Sequence, residues 1–360
     1  MGRVEPQHVF FGQASSVPGP VTARTLRTPD DLIGAGLVPP SARADLLAVA
    51  GQYATAIPPA FAALIEQPDD PIGLQVIPTP DELFVAPAER SDPIGDDALS
   101  PVPGIVHRYA DRALLKPLLV CPLYCRFCFR REHVGPDGGV LDEAALAGAL
   151  DWLRTHPQIR EVILTGGDPL MLSARRLGEI VAALSAMEHV TTIRVHTRVP
   201  VAAPERVTDA MLDALETDKA MWMAVHVNHA RELSEAARAC LRRIVRRGIP
   251  LLGQSVLLRG VNDSEQALEA LFRGMVENRM RPYYLHQLDP APGTARFHVP
   301  AEEGRRLLAG LRGRVTGLAW PLYVLDIPGG YGKVPLGPDY VQGAAQVRDP
   351  SGRTHRLERL

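Results

Sequence analysis

The chain has 360 residues and a formal net charge of −2, and it is 46% hydrophobic and 22% charged. That length suits one large or two smaller domains with a sizeable core. The charge balance argues against nucleic acid as a partner and against an acidic disordered tail, and no apolar run reaches membrane-spanning length.

The first residues lack the positive flank and apolar segment of a signal peptide, so we expect a cytoplasmic protein. In that compartment grouped cysteines bind metals or serve catalysis more often than they form disulfides.

The first part of the chain, residues 1 to about 105, is rich in proline and alanine. Helical patterns occur at "PPSARADLLAVAGQYA" and "PPAFAALIEQ", and segments such as "SDPIGDDALSPVPG" predict loops or extended chain. We therefore expect a mostly helical N-terminal extension over residues 1–105.

From Pro117 onward, short apolar runs alternate with amphipathic helical patterns. The strand candidates are "PLLV", "EVILT", "TTIRVH", "MWMAVHV", "LLGQSV", "PYYLH" and "PLYVLD". The helix candidates are "DEAALAGALDWLRTH", "SARRLGEIVAALSAM", "SEAARACLRRIVRRG" and "SEQALEALFRGMVEN". Repeated strand–helix units predict an α/β fold with a parallel sheet, here an incomplete (β/α) barrel of about six units over residues 106–315. Residues 316–360 form a C-terminal segment.

Polar residues cluster at the C-terminal ends of these strand candidates. The residues are Asp168, His196, Arg198, His226, His229, Gln254, Ser255, Asp289 and Asp326. In α/β barrels that end of the strands carries the active site. The pattern therefore indicates an enzyme rather than a set of solvated loops.

Three of the four cysteines lie in "CPLYCRFCFRR", as Cys121, Cys125 and Cys128. Thiolates bind soft metals, and a structural zinc site would need a fourth ligand, for which His133 is the available candidate. A four-iron cluster held by three thiolates would instead keep one iron free for a ligand. The basic run before His133 and the lack of a second C-x2-C pair favour the cluster. Cys240, in a helical pattern, is expected to be a small buried residue.

This cysteine spacing, after a strand that opens a series of strand–helix units, resembles the radical S-adenosylmethionine superfamily. The resemblance implies that the free iron binds the amino and carboxylate groups of S-adenosylmethionine, whose cleavage releases a 5′-deoxyadenosyl radical. Gly166, Gly167 and Asp168 stand where the superfamily commonly has Gly-Gly-Glu, the segment that holds the methionine amino group. Here an aspartate replaces the glutamate.

The wider text resembles the lysine 2,3-aminomutase family from about residue 55 to residue 345. The matching segments are "SPVPGIVHRYADRALL", "CPLYCRFCFRR", "TGGDPLML", "HVNHARE", "GQSVLLRGVND", "RPYYLHQLD" and "DIPGGYGKVPL". The resemblance implies an isomerase that uses a [4Fe–4S] cluster, S-adenosylmethionine and pyridoxal phosphate to convert free L-lysine into β-lysine. It also implies an electron donor such as flavodoxin or ferredoxin.

Residue by residue, the resemblance assigns Lys333, at the end of "DIPGGYGK", as the lysine that binds pyridoxal phosphate covalently. Tyr109 and Arg112 match positions beside this cofactor, with Arg112 on its phosphate; an ion pair with a neighbouring acid is the alternative for Arg112. Arg130 matches the ligand of the substrate carboxylate. Asp289 and Asp326 match the pair that holds the side-chain ammonium of lysine.

For S-adenosylmethionine the resemblance points to Asp168, His226 and Gln254. A buried core histidine and a strand-end amide are the alternatives for the last two, and Arg198 and Asn228 are further candidates. The remaining arginines of the cysteine segment, Arg126 and Arg131, are expected to be structural or solvated.

The chain also departs from the family. His286 stands where many relatives have tyrosine, Tyr331 interrupts the usual glycine run, and the cysteine-rich zinc tail of some members has no counterpart, which leaves a homo-oligomer open. Three alternative functions remain. They are an aminomutase serving elongation factor P, a 2,3-aminomutase for glutamate or another amino acid, and a non-catalytic iron–sulfur or zinc scaffold.

Overall fold

The computed structural model of the protein describes residues 22–342, 346–349 and 353–356. The parts of the predicted 1–105 and 316–360 regions that fall elsewhere lie outside the described residues. One nine-stranded sheet, with its strands in sequence order, organises the chain. Its strands are β1 Ile105–Tyr109, β2 Arg112–Leu118, β3 Glu161–Gly166, β4 Thr192–Thr197, β5 Ala220–His226, β6 Leu251–Val256, β7 Met280–His286, β8 Leu322–Ile327 and β9 Gly332–Gly337.

Strands β2 to β8 are parallel, whereas β1 and β9 pair antiparallel at the two edges. No backbone pairing joins β1 to β9 in the described part of the chain. The sheet is therefore an incomplete barrel, which confirms the predicted fold class. A small antiparallel sheet follows, built from β10 Val341–Gln342, β11 Gln346–Arg348 and β12 Thr354–Arg356.

The helices form two groups, seven that pack against the sheet and three in the N-terminal extension. They are α1 Pro29–Gly34, α2 Arg43–Ala50, α3 Pro59–Ala62, α4 Glu143–Arg154, α5 Ala174–Ser185, α6 Val199–Ala202, α7 Asp209–Asp213, α8 Glu235–Arg246, α9 Glu265–Glu277 and α10 Ala301–Leu311. The four predicted barrel helices are α4, α5, α8 and α9. Each follows an N-cap residue, Asp142, Ser173, Ser234 or Ser264, whose side chain accepts a backbone N–H of the first turn.

Alternation along the strands separates the core from an inner cavity. In β4, for example, Ile193 and Val195 are fully buried in the core with the helices, whereas Arg194 and His196 line the cavity. Successive side chains of a strand point to opposite faces. The apolar positions therefore pack under the helices, and the intervening polar positions face one another inside the curve of the sheet.

The N-terminal extension contains less helix than the sequence predicts, because its two helical patterns form helices that end early, at Ala50 and Ala62. Only α1, α2 and α3 and short 3-10 turns form between residues 22 and 104. The segment nevertheless has an apolar core of its own, in which Phe61 and Ile72 pack with Leu123 of the cysteine loop and Ala202 of α6. That packing fixes the extension against the barrel beside the cysteines.

Candidate active site

The polar residues enclose one cavity of about 380 Å³ inside the curved sheet. That volume is in the range typical of small-molecule sites. The cavity brings together every predicted site residue except Gly166. They are Tyr109, Arg112, Cys121, Cys125, Cys128, Arg130, Gly167, Asp168, His226, Gln254, Asp289, Asp326 and Lys333.

Gly166 has a clear backbone role, and its predicted cofactor contact stays a prediction. It lies at a φ of +104°, and a Cβ there would approach the Leu118 carbonyl oxygen to 2.7 Å. A Cβ on Gly167 would meet the Val120 oxygen at 2.4 Å. These glycines therefore let the end of β3 pack directly on the chain that leads into the cysteine loop.

The three cysteines lie on the loop after β2, beginning three residues beyond Leu118. Burial, together with the charge of Asp168, holds the pKa of the Cys121 thiol well above its usual range. Burial raises the pKa of Cys128 to about 11. Thiolates in this place need a strong compensating positive charge, and iron supplies it. The donor set, three thiols that line one cavity, suits a four-iron cluster, whereas no described group of three His, Cys, Asp or Glu side chains is arranged to hold a single metal ion.

The alternative zinc ligand, His133, does not line the cavity. Its side chain is 45% exposed and lies 3.7 Å from Asp97. Cys240 is 3% exposed and packs in the main core, as expected. Neither residue contributes to the site.

Asp168 is buried, and its carboxylate has several partners within the protein. One oxygen accepts the Thr197 hydroxyl at 2.7 Å, and the other accepts the Arg198 backbone N–H at 2.7 Å. It also accepts backbone N–H groups of Leu170 and Val199. Burial raises its pKa in spite of these bonds. Asp168 therefore ties the β3 loop to the start of α6, in addition to lining the cavity.

Buried polar atoms without a partner among the described residues face the cavity. They are Nε2 of His196, His226 and His286 and Oε1 of Gln254. Burial lowers the pKa of all three histidines, that of His286 to about 3, so the rings are neutral. An unpaired buried polar group costs about 1–3 kcal/mol. These atoms are therefore suited to contact polar groups of a bound cofactor or substrate.

Another wall of the cavity carries a chain of side chains with alternating charges. Arg130 donates to Asp96 at 2.7 Å, and Arg108 bridges Asp96 at 3.2 Å and Asp326 at 3.0 Å. The Lys333 ammonium lies 2.7 Å from the second oxygen of Asp326. Predicted substrate-binding and cofactor-binding residues are therefore held in one ion-pair network.

Two further predicted residues lie on this wall, where one hydrogen bond to a side chain links the edge strands β1 and β9. The backbone N–H of Lys333 in β9 donates to the Tyr109 hydroxyl at 2.9 Å. Arg112 stacks over the Tyr109 ring at 3.8 Å and also donates to Asp111 at 2.9 Å. Arg112 therefore lines the cavity and also has the neighbouring acid of the alternative interpretation, and its contact with a phosphate stays a prediction.

Comparison with known proteins decides the family. Residues 115–271 match the radical SAM superfamily and residues 308–349 match the lysine-2,3-aminomutase family. The L-lysine 2,3-aminomutase of Clostridium subterminale is 40% identical over 288 residues, which cover 79% of this chain and 69% of that one. The chain belongs to the lysine 2,3-aminomutase family.

Other members of the lysine 2,3-aminomutase family agree. The L-lysine 2,3-aminomutase of Escherichia coli (strain K12) is 36% identical over 287 residues, covering 79% of this chain and 83% of that one. Among solved structures, a radical SAM methyltransferase from Sphaerobacter thermophilus has 20% identity and a TM-score of 0.44, covering 65% of this chain and 73% of that one.

This aminomutase is accordingly an isomerase of the radical SAM superfamily, a superfamily that uses a [4Fe–4S] cluster and S-adenosylmethionine. The resemblance seen in the sequence is confirmed. Across the described residues, no helix combines the length and apolarity needed to cross a membrane.

Sequence reasoning missed three anchors that the N-terminal extension of the aminomutase supplies. Glu82 is fully buried and accepts hydrogen bonds from Arg126 and Arg131, which are therefore structural rather than solvated. Asp96 holds Arg130 and Arg108. Gln75 is the third anchor and bonds Arg198. Acidic and amide residues in a proline-rich segment carry no local signal of such partners.

Asn228 does not line the cavity. It is fully buried, and its amide donates to Gln75 at 3.0 Å and accepts the Val256 backbone N–H at 2.9 Å. Its predicted contact with S-adenosylmethionine is therefore not supported by its position. It connects β5, β6 and the N-terminal extension behind the cavity wall.

Proposed function

We propose that this aminomutase moves the α-amino group of free L-lysine to Cβ and so forms β-lysine. The observation that carries the proposal is the pair of buried carboxylates, Asp289 and Asp326, in a cavity that also holds Arg130. A buried ammonium needs compensating charge and hydrogen bonds, and two carboxylates supply both.

The state of Asp289 supports this assignment. No side-chain partner is seen for its carboxylate among the described residues, and burial together with Asp326 raises its pKa to about 7. A carboxyl group left in that condition gains most from a cationic ligand. The ammonium of lysine would provide it, whereas the side-chain carboxylate of glutamate would add a third negative charge.

Arg130 would bind the other end of the substrate. Its Nε and Nη2 are directed to Asp96, both at 2.7 Å. A guanidinium has five N–H donors, so others remain for the α-carboxylate. A lysyl residue within a protein, such as elongation factor P, has no free α-carboxylate to offer. Free lysine therefore satisfies both ends of the site.

The cofactors would occupy the remaining walls. Cys121, Cys125 and Cys128 would hold the [4Fe–4S] cluster, and His226 and Gln254 would contact polar groups of S-adenosylmethionine. When bound, these groups supply the radical that takes a hydrogen atom from Cβ, and pyridoxal phosphate supplies the π-system across which the nitrogen moves.

Lys333 would bind pyridoxal phosphate covalently, and Arg112 would hold its phosphate. Before that bond forms, Asp326 positions the Lys333 amine. The neutral His196 and His286 rings offer hydrogen bonds without adding charge, and the surrounding sheet excludes water. A low-potential one-electron donor such as flavodoxin or ferredoxin would reduce the cluster.

The test is turnover of lysine, ornithine, glutamate and leucine by the anaerobically reconstituted enzyme, alongside the Asp289→Asn and Asp326→Asn variants. We expect lysine to be the best substrate. Each variant should lose about 100-fold or more in kcat/KM for lysine, because removing one partner from a buried charge pair costs roughly 3–5 kcal/mol. Both should still bind the cofactors.

Asp218→Asn, at an exposed aspartate, is the matched control and should leave turnover unchanged. Efficient turnover of glutamate by the unsubstituted enzyme would contradict the proposal. So would an Asp326→Asn variant with undiminished activity on lysine.

A further inference from the structure

The guanidinium of Arg198 joins the cysteine loop to a buried polar cluster behind the cavity. Its Nη1 donates to the Cys125 sulfur at 2.7 Å. Its Nη2 donates to Gln75 at 2.6 Å and to Glu232 at 2.9 Å. The Arg198 side chain is only 7% exposed, so these contacts are shielded from water.

The partners of Arg198 are themselves fixed. Glu232 is fully buried, and one of its oxygens accepts the backbone N–H groups of Asn228 and His229, each at 3.0 Å. The same oxygen accepts the Gln75 amide at 3.1 Å. A carboxylate held by three donors cannot rotate freely, so it pins the guanidinium in one orientation toward the sulfur.

Aromatic rings complete the enclosure. The Arg198 guanidinium carbon lies 5.1 Å from the centre of the Phe61 ring and 5.7 Å from that of Phe127. Charge interactions are stronger in such a low-dielectric setting than in water. A hydrogen bond from a cation here therefore acts on the sulfur with little screening.

Hydrogen bonds to ligand sulfurs and net charge near a cluster set its reduction potential. Reduction adds one electron, taken from the external donor, and a fixed positive charge beside Cys125 stabilises that electron. We propose that Arg198 is a positioning residue that raises the reduction potential of the cluster through its hydrogen bond to Cys125, and that Glu232 holds Arg198 in place while partly offsetting its charge. This inference rests on the cluster included in the proposed function.

The experiment is a potentiometric titration of the reconstituted enzyme, followed by electron paramagnetic resonance of the reduced cluster, with iron and sulfide content measured on each sample. Arg198→Gln should lower the ratio of reduced to oxidised cluster about tenfold at a fixed solution potential, which is a shift of about 59 mV for one electron. Arg198→Lys should shift the ratio less, because the charge remains.

Glu232→Gln should shift the ratio in the opposite direction, because the amide keeps the shape of the carboxylate and removes its negative charge. If Arg198 and Glu232 had a purely structural role, the two substitutions would not shift the reduction potential in opposite directions. Arg259→Gln is the matched control: Arg259 is a half-buried arginine that pairs with Glu303 at 2.7 Å and does not line the cavity, and its loss should leave the potential unchanged.

An intact cluster with an unshifted potential in Arg198→Gln would overturn the inference, and so would shifts of the same sign in Arg198→Gln and Glu232→Gln. If Arg198→Gln does not assemble a cluster, Glu232→Gln decides, since a lowered or unchanged potential in that variant refutes the role assigned to the pair. Failure of the unsubstituted protein to bind iron would instead refute the cluster itself.

Discussion

Replacing Asp289 by asparagine should stabilise the ligand-free protein, by an amount that grows with pH. Burial and the nearby charge of Asp326 raise the pKa of Asp289 from 3.8 to about 7 in the folded protein. Ionising a group with a raised carboxyl pKa opposes folding. The folded state is therefore penalised as pH rises from 3.8 toward 7, and the penalty is constant above that range.

The size of the effect follows from the two pKa values. The penalty should reach about 4 kcal/mol at pH 8, fall to about 2 kcal/mol at pH 5, and nearly vanish below pH 4. Asparagine has almost the shape of the neutral carboxylic acid and cannot ionise. Asp289→Asn should therefore raise the free energy of unfolding by about these amounts at each pH.

The assay is urea denaturation of the ligand-free protein and of Asp289→Asn at pH 4, 5, 6 and 8, followed by tryptophan fluorescence. Asp218→Asn, at an exposed aspartate, should show no comparable gain. The reasoning would be refuted if Asp289→Asn were less stable than the unsubstituted protein at pH 8. A gain of equal size at every pH would refute it too, because only a titrating group gives the predicted slope.

Three further outcomes are expected. Cys125→Ala should lose the cluster and its iron, whereas Cys240→Ala should keep full iron content; loss of iron from Cys240→Ala would be inconsistent with the three-cysteine site. Borohydride reduction with pyridoxal phosphate bound, followed by peptide mapping, should place the pyridoxyl label on Lys333, and Lys333→Ala should lose that label while keeping the absorbance of the cluster. Glu82→Gln should destabilise the protein by roughly 3–5 kcal/mol in denaturation, because it leaves the buried guanidinium of Arg126 without its full partner; a change below about 1 kcal/mol would mean that this buried pair is dispensable.

Local sequence patterns determined the barrel elements and much of the site. The helices α4, α5, α8 and α9 follow from amphipathic periodicity and N-cap residues, which act within a few positions of one another. The polar residues at strand ends converge because parallel strands bring their C-terminal ends to the same edge. The cysteine spacing and "DIPGGYGK" likewise carry their information locally.

The edges of the sheet and the extension depended on contacts that no local pattern encodes. Arg108 of β1 meets Asp326 of β8 across 218 positions of sequence. Gln75 meets Glu232 across 157 positions. The sequence indicated a proline-rich N-terminal extension, whereas the structure shows that side chains of this extension bind arginines around the cavity.

The same distinction between local sequence patterns and contacts of distant segments applies to the site residues. Sequence alone determined which residue types face the cavity, because strand alternation and the glycine-rich segment are local properties of the chain. Only the tertiary structure decided their partners: Asp326 with Lys333, Arg130 with Asp96, and Arg198 with Cys125. A buried charge is stable only when it is paired, and which partner reaches it depends on how distant segments pack together.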